Sequence, residues 1–107
     1  FVRREAKRGN RYGGIVLDPP AYGRGPDGEK WILEDHLDGL LRDCAQLLEP
    51  NGFVVLNLYS MGLSAVVAHT LLNLHFGRSA ALVEHYAEDP NGKRLPFGTV
   101  ARIAPVP

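Results

Sequence analysis

One short run constrains the fold of this 107-residue chain more than any other: Gly14-Ile15-Val16-Leu17-Asp18, stopped at once by Pro19-Pro20. It is too brief for a helix and rich in β-formers. Its apolar residues are continuous rather than alternating, which predicts a strand buried on both faces of a parallel sheet. Proline has no N–H to give to a ladder, so the strand must end at Asp18.

The remaining pattern fits that sheet. Residues 1–8 read as the end of a helix, with Gly9 and Asn10 as candidates for the left-handed residue that closes it. Such a helix, starting without a capping side chain, leads us to expect sequence upstream of Phe1. Residues 21–30 hold three glycines and a proline and are expected to form a loop. Leu33, Leu37, Leu40, Leu41, Cys44, Ala45 and Leu48 then recur at helical spacing, predicting a helix over about 33–49 that Pro50-Asn51-Gly52 stops. Phe53–Leu58 reads as a second strand. Ser60 or Ser64 is the expected N-cap of a helix over about 63–76, with Gly77 as its stop. Ala80–Ala87 predicts a third strand, Asp89-Pro90-Asn91-Gly92 a turn, and Leu95–Ile103 the returning strand of a hairpin. Strand, helix, strand, helix, strand, turn, strand is the order of an α/β, doubly wound sheet with right-handed crossovers and an antiparallel finish.

Composition excludes little, but usefully. Hydrophobic residues make up 45 % and charged residues 22 %, as in an ordinary globular domain, and the length suits one domain spanning residues 1–107. No apolar run approaches the roughly 20 residues of a membrane span, so no membrane association is expected, and no secretory signal is visible. Net charge is zero, although Arg3, Arg4, Lys7, Arg8 and Arg11 crowd the first eleven residues. That cluster reads as a solvated helix face or as a rim for nucleic-acid phosphates. Cys44, the single cysteine, falls among leucines and is expected in the core. His36, His69, His75 and His85 lack metal-ligand spacing, so no metal is expected. There is no nucleophile elbow, Walker sequence or GxGxxG; the glycines of Gly23–Gly28 are interrupted by Pro26.

In open α/β sheets ligands bind beyond the carboxyl ends of the strands, which is where Asp18-Pro19-Pro20-Ala21-Tyr22-Gly23 would lie. An acidic side chain there accepts a hydrogen bond from an amine. Two prolines stiffen the backbone and leave their carbonyls as acceptors, and Tyr22 offers a face to an unstacked base. Ile15-Val16-Leu17-Asp18-Pro19-Pro20-Ala21-Tyr22 resembles the (Asp/Asn)-Pro-Pro-(Tyr/Phe) motif of class I S-adenosylmethionine-dependent methyltransferases. FVRREAKRGNRY before it and GRGPDGEKWILEDHL after it resemble a narrower group, the bacterial enzymes related to those acting on 23S ribosomal RNA.

That resemblance runs over nearly the whole chain and implies the C-terminal half of a Rossmann-like methyltransferase fold, β-α-β-α-β-β, mostly parallel with a final antiparallel hairpin strand. The family's strand order, 3-2-1-4-5-7-6, would be represented here by strands 4 to 7. Its Gly-rich cofactor loop would lie upstream of Phe1, so the 107 residues alone are expected to bind S-adenosylmethionine weakly or not at all. The implied activity is methyl transfer from S-adenosylmethionine to RNA in the cytoplasm. The implied site is Asp18, Pro19, Pro20 and Tyr22, with Asp18 also touching cofactor. Tyr22 would stack on the acceptor base, while Arg24 and Lys30 either contact RNA phosphates or belong to an ordinary charged loop. Trp31 either anchors that loop or offers a second stacking surface.

Two departures bear on this. Relatives carry an acidic residue where this chain has Gly13, and Gly13-Gly14 is expected to loosen the strand entry. The stretch Asn57-Leu58-Tyr59-Ser60-Met61-Gly62 lacks the cysteine nucleophile of 5-methylcytosine enzymes, which leaves nitrogen or oxygen as the acceptor. Two other readings remain: a non-catalytic RNA-binding or assembly module of the same fold, and a nicotinamide-dependent oxidoreductase domain. The acceptor and the oligomeric state are not legible in the sequence.

Overall fold

The computed structural model describes residues 1–59 and 63–106. Helix α1 (Val2–Arg8) closes at Gly9, whose φ of 73° is left-handed; the N–H groups of Gly9 and Asn10 bond back to Ala6 and Glu5. Strand β1 (Tyr12–Leu17) follows, and then a short antiparallel hairpin of β2 (Tyr22–Arg24) and β3 (Lys30–Ile32). Helix α2 (Leu33–Ala45), β4 (Leu48–Leu58), α3 (Ala65–Phe76), β5 (Ala81–Glu88) and β6 (Arg94–Ile103) complete the chain.

The main sheet has the order β1-β4-β6-β5. β1 and β4 are parallel, and β6 slots antiparallel between β4 and β5. Three strands therefore share one direction and the last runs against them. This is the order expected of strands 4, 5, 7 and 6.

The core forms because both inter-strand helices present an apolar stripe. Leu33, Leu37, Leu41 and Cys44 repeat along α2 and are at most 1 % exposed; Ala68 and Leu72 do the same on α3. These leucines and Ala68 join Val54, Leu56 and Leu58 of β4 and Ala101 and Ile103 of β6 in one core, each set alternating along its strand. Burying each such leucine contributes about 1.5–3 kcal/mol.

Several expectations are corrected. β1 is not covered on both faces: Ile15 and Leu17 pack on the core, whereas Val16 is 70 % exposed on the opposite face. The loop at 21–30 contains the β2–β3 hairpin, which periodicity cannot show in strands of three residues. α2 ends at Ala45 rather than near 49, because Gln46 and Leu47 donate to Asp43 and Cys44, tightening the last turn, while the Leu47 carbonyl is taken by the Tyr12 N–H at 2.7 Å. Leu47 and Leu48 are buried all the same, and β4 starts at Leu48 instead of Phe53. At Gly13-Gly14 the ladder is irregular, its register shifting between Tyr12 and Gly14, and a Cβ on Gly14 would overlap the ring of Phe53, its partner across the ladder.

The other boundaries fall close to expectation. Ser64 caps α3 by accepting the Val66 N–H at 3.2 Å, and Gly77 closes it with a φ of 65°. Ser60 lies outside the described residues. The turn at Asp89 is held by its carboxylate, which accepts the N–H groups of Asn91 and Lys93, both at 2.8 Å.

Candidate active site

β1 and β4 are parallel and adjacent, so their carboxyl ends lie side by side, and continuing their register sets Asp18 beside Asn57. The Asn57 Nδ2 group donates to the Tyr59 hydroxyl at 2.6 Å and, over a longer 3.4 Å, to Asp18 Oδ1. Tyr59 in turn hydrogen-bonds Asp18; that bond, followed by partial burial and the carboxylate's charge, raises its phenol above the ordinary value of 10. The phenol is thus a proton donor to Asp18 across the physiological range. Asp18 and Tyr59 are both exposed, so the cluster is accessible as well as internally bonded.

The other expected residues surround it. Pro19 is buried and Pro20 exposed. The Pro20 carbonyl is engaged rather than available, since Trp31 Nε1 donates to it at 2.7 Å. Trp31 also stacks on His36 with ring centroids 5.4 Å apart, so it pins the hairpin against the start of α2. In the β2–β3 ladder Tyr22 faces Ile32 and Arg24 faces Lys30. Alternation therefore puts Tyr22, Arg24 and Lys30 on one face of the hairpin and Trp31 on the other. All three are exposed, and Arg24 makes one long hydrogen bond, 3.5 Å, to the Gly28 carbonyl.

Sequence reasoning missed Asn57 and Tyr59 as members of this cluster. The available signal was positional: the end of the strand parallel to β1 is the other place where a side chain can reach Asp18. Tyr59 also walls a cavity of about 490 Å³ bounded by Leu58, Glu84, Phe97, Gly98 and Thr99. A larger hollow of about 610 Å³ between α1 and α2 touches Trp31 but none of Asp18, Asn57 and Tyr59.

Other titratable groups have structural partners. Glu5, buried, accepts hydrogen bonds from Tyr12, Asn10 and Arg8, which hold its carboxyl below the ordinary value and tie α1 to β1. Arg3 pairs with Asp43 at 3.1 Å and Arg11 donates to the Leu48 carbonyl at 3.1 Å, so much of the basic cluster is used within the chain. His75 meets Asp38 at 2.6 Å, and His69 meets the Ala80 carbonyl at 2.8 Å. Cys44 is buried, and desolvation pushes its thiol up to about 11. Among the described residues no group of three or more His, Cys, Asp or Glu is placed to hold a metal ion, and no helix is long and apolar enough to cross a membrane.

A SAM-dependent methyltransferase from Agrobacterium tumefaciens superposes on 98 % of this chain with a TM-score of 0.86 and 32 % identity. The chain has the Rossmann-like methyltransferase fold. Two more distant examples of that methyltransferase fold match 94 % of the chain: the methyltransferase candidate SMU.776 complexed with SAH, at a TM-score of 0.70 and 14 % identity, and M1.HpyAVI complexed with SAM, at 0.56 and 15 %. The chain spans 37 %, 28 % and 46 % of the lengths of these three structures. No family model and no curated protein matches it.

Proposed function

We propose that the protein carrying this chain is a methyltransferase that moves the methyl group of S-adenosylmethionine onto a nitrogen or oxygen of RNA, ribosomal RNA in particular, in the cytoplasm. The observation that carries the proposal is the likeness to the Agrobacterium enzyme over 98 % of the chain, joined to an accessible Asp18–Asn57–Tyr59 cluster at the carboxyl ends of two parallel strands.

The groups present suit such a cofactor and acceptor. Asp18 is an exposed carboxylate following β1, a suitable acceptor for an amine of either the methionine moiety or the substrate. When bound, S-adenosylmethionine supplies a methyl carbon made electrophilic by its sulfonium. Attack on that carbon by the acceptor's lone pair would be an in-line displacement with S-adenosylhomocysteine as the leaving group, so the protein's contribution is chiefly alignment. Asp18 accepts a hydrogen bond from the acceptor group and steers its lone pair toward the methyl carbon. Tyr59 and Asn57 hold that carboxylate from its other side. Tyr22 stacks on the acceptor base, and Arg24 and Lys30, on the same hairpin face, neutralise flanking phosphates.

The test is to incubate the protein with methyl-labelled S-adenosylmethionine and, in parallel, unmodified total RNA, DNA and protein. Label entering RNA supports the proposal. Label confined to DNA or protein overturns the RNA acceptor. Cofactor binding without label in any pool points to a small-molecule acceptor or to the non-catalytic module, and preferential binding of a nicotinamide cofactor would replace the methyltransferase reading altogether.

A further inference from the structure

The cavity beside Tyr59 is not needed to explain the Asp18 cluster, and its walls have a chemistry of their own. Two exposed aromatic rings border it, Tyr59 at 53 % and Phe97 at 54 %. Glu84 contributes a carboxylate that makes no hydrogen bond or ion pair among the described residues, and Thr99 adds a hydroxyl. The shape is built into the backbone. The ladder between β5 and β6 shifts register between His85 and Tyr86. At Gly98 φ is 148°, and a Cβ would overlap the Leu58 carbonyl oxygen. Only glycine lets β6 come this close to the end of β4. The volume, about 490 Å³, lies within the range of roughly 300–1,000 Å³ typical of small-ligand sites.

Resting on the reading of RNA as acceptor, we propose that this cavity is a subsite for the nucleobase next to the modified nucleotide, and that it selects bases carrying an exocyclic amine. Aromatic walls with a single carboxylate suit a planar heterocycle that donates a hydrogen bond: Tyr59 and Phe97 offer stacking faces, and Glu84 accepts from the amine of adenine, cytosine or guanine. Uracil has no such amine. The position fits a neighbour rather than the acceptor itself. Tyr22 opens the separate β2–β3 hairpin that follows β1, whereas the cavity lies on the other side of β4, against β6 and β5. A single strand laid across the strand ends would set one base on Tyr22 and an adjacent base between Tyr59 and Phe97.

The test uses the protein carrying this chain. Once total RNA has been methylated and the modified nucleotide mapped, four short single-stranded RNAs differing only in the base beside it are compared. The expected result is a KM for the uracil oligomer about tenfold above the others. Glu84→Gln should abolish that discrimination, with the effect on KM rather than kcat. Phe97→Ala should raise KM about tenfold for all four, as loss of one stacking surface predicts. Retained binding of S-adenosylhomocysteine by both variants establishes that they are folded. Equal KM values for the four oligomers with the native protein, or native discrimination surviving in Glu84→Gln, overturns the subsite while leaving RNA methylation intact. Absence of label in RNA with the native protein overturns the underlying reading, and the subsite with it.

Discussion

The amide of Asn57 and the hydroxyl of Tyr59 lie 2.6 Å apart, and both reach Asp18 across the gap between β4 and β1. Neither residue carries a recognisable motif; parallel pairing alone brings them to the acidic side chain. Tyr59 serves as a reporter of the arrangement. Its phenol is raised, first by the hydrogen bond to Asp18, and that of Tyr12 is raised, first by the hydrogen bond to Glu5, so a spectrophotometric titration should find two tyrosines ionising above 10. Asp18→Asn should bring Tyr59 back toward that value and leave Tyr12 raised. A set of tyrosines that titrates identically in the two proteins would contradict the geometry.

Removing the support should cost alignment rather than chemistry. Asn57→Ala is expected to lower the methyl-transfer rate by up to about 10²-fold, the penalty of a displacement of roughly 1 Å at a reacting centre. Equilibrium binding of S-adenosylhomocysteine should change far less, and an equal loss in both would assign Asn57 a purely structural role.

Glu5 ties α1 to β1 through Tyr12, Asn10 and Arg8, and its lowered ionisation fixes the sign of a pH effect. A carboxyl lowered on folding stabilises the native state above its ordinary value of 4.5, and that contribution is lost as pH falls through the lowered value. Melting temperatures of the native protein and of Glu5→Gln should therefore differ at neutral pH and converge in acid. A constant difference down to strong acid would refute the assignment.

Leu56 is completely buried where α2 and α3 meet β4. Leu56→Ala should destabilise the fold by about 2–5 kcal/mol in denaturant titration. Val16→Ala, at the exposed face of β1, should fall within about 0.5 kcal/mol. Similar losses for the two would mean that the exposed face is also covered.

Cys44 should be silent toward thiol reagents near neutral pH, since it is buried and its thiol is pushed up to about 11. Labelling that keeps pace with global unfolding is the expected kinetics, and fast labelling of the native state would place the helix differently.

What could be read in advance follows physical range. The stripe on α2, the N-cap Ser64 of α3, the left-handed stops at Gly9 and Gly77, and the turn at Asp89 are local, and they were legible. The end of α2 was not, because Leu48 continues the helical period while strand pairing with β1 is what buries it. The β2–β3 hairpin is too short for periodicity, and its anchor is a single bond from Trp31 to the Pro20 carbonyl. Asp18 was legible as chemistry, whereas Asn57 and Tyr59 acquire meaning only when a strand 39 residues away in sequence is laid beside it.

The most direct test of the central claim is single-turnover methyl transfer to RNA by the protein carrying this chain and by its Asp18→Ala variant, with cofactor binding measured alongside. Asp18 at the transfer site predicts label in RNA with the native protein and a loss of at least about 10²-fold with the variant while the cofactor still binds. Undiminished transfer by Asp18→Ala would place the chemistry elsewhere and contradict the account.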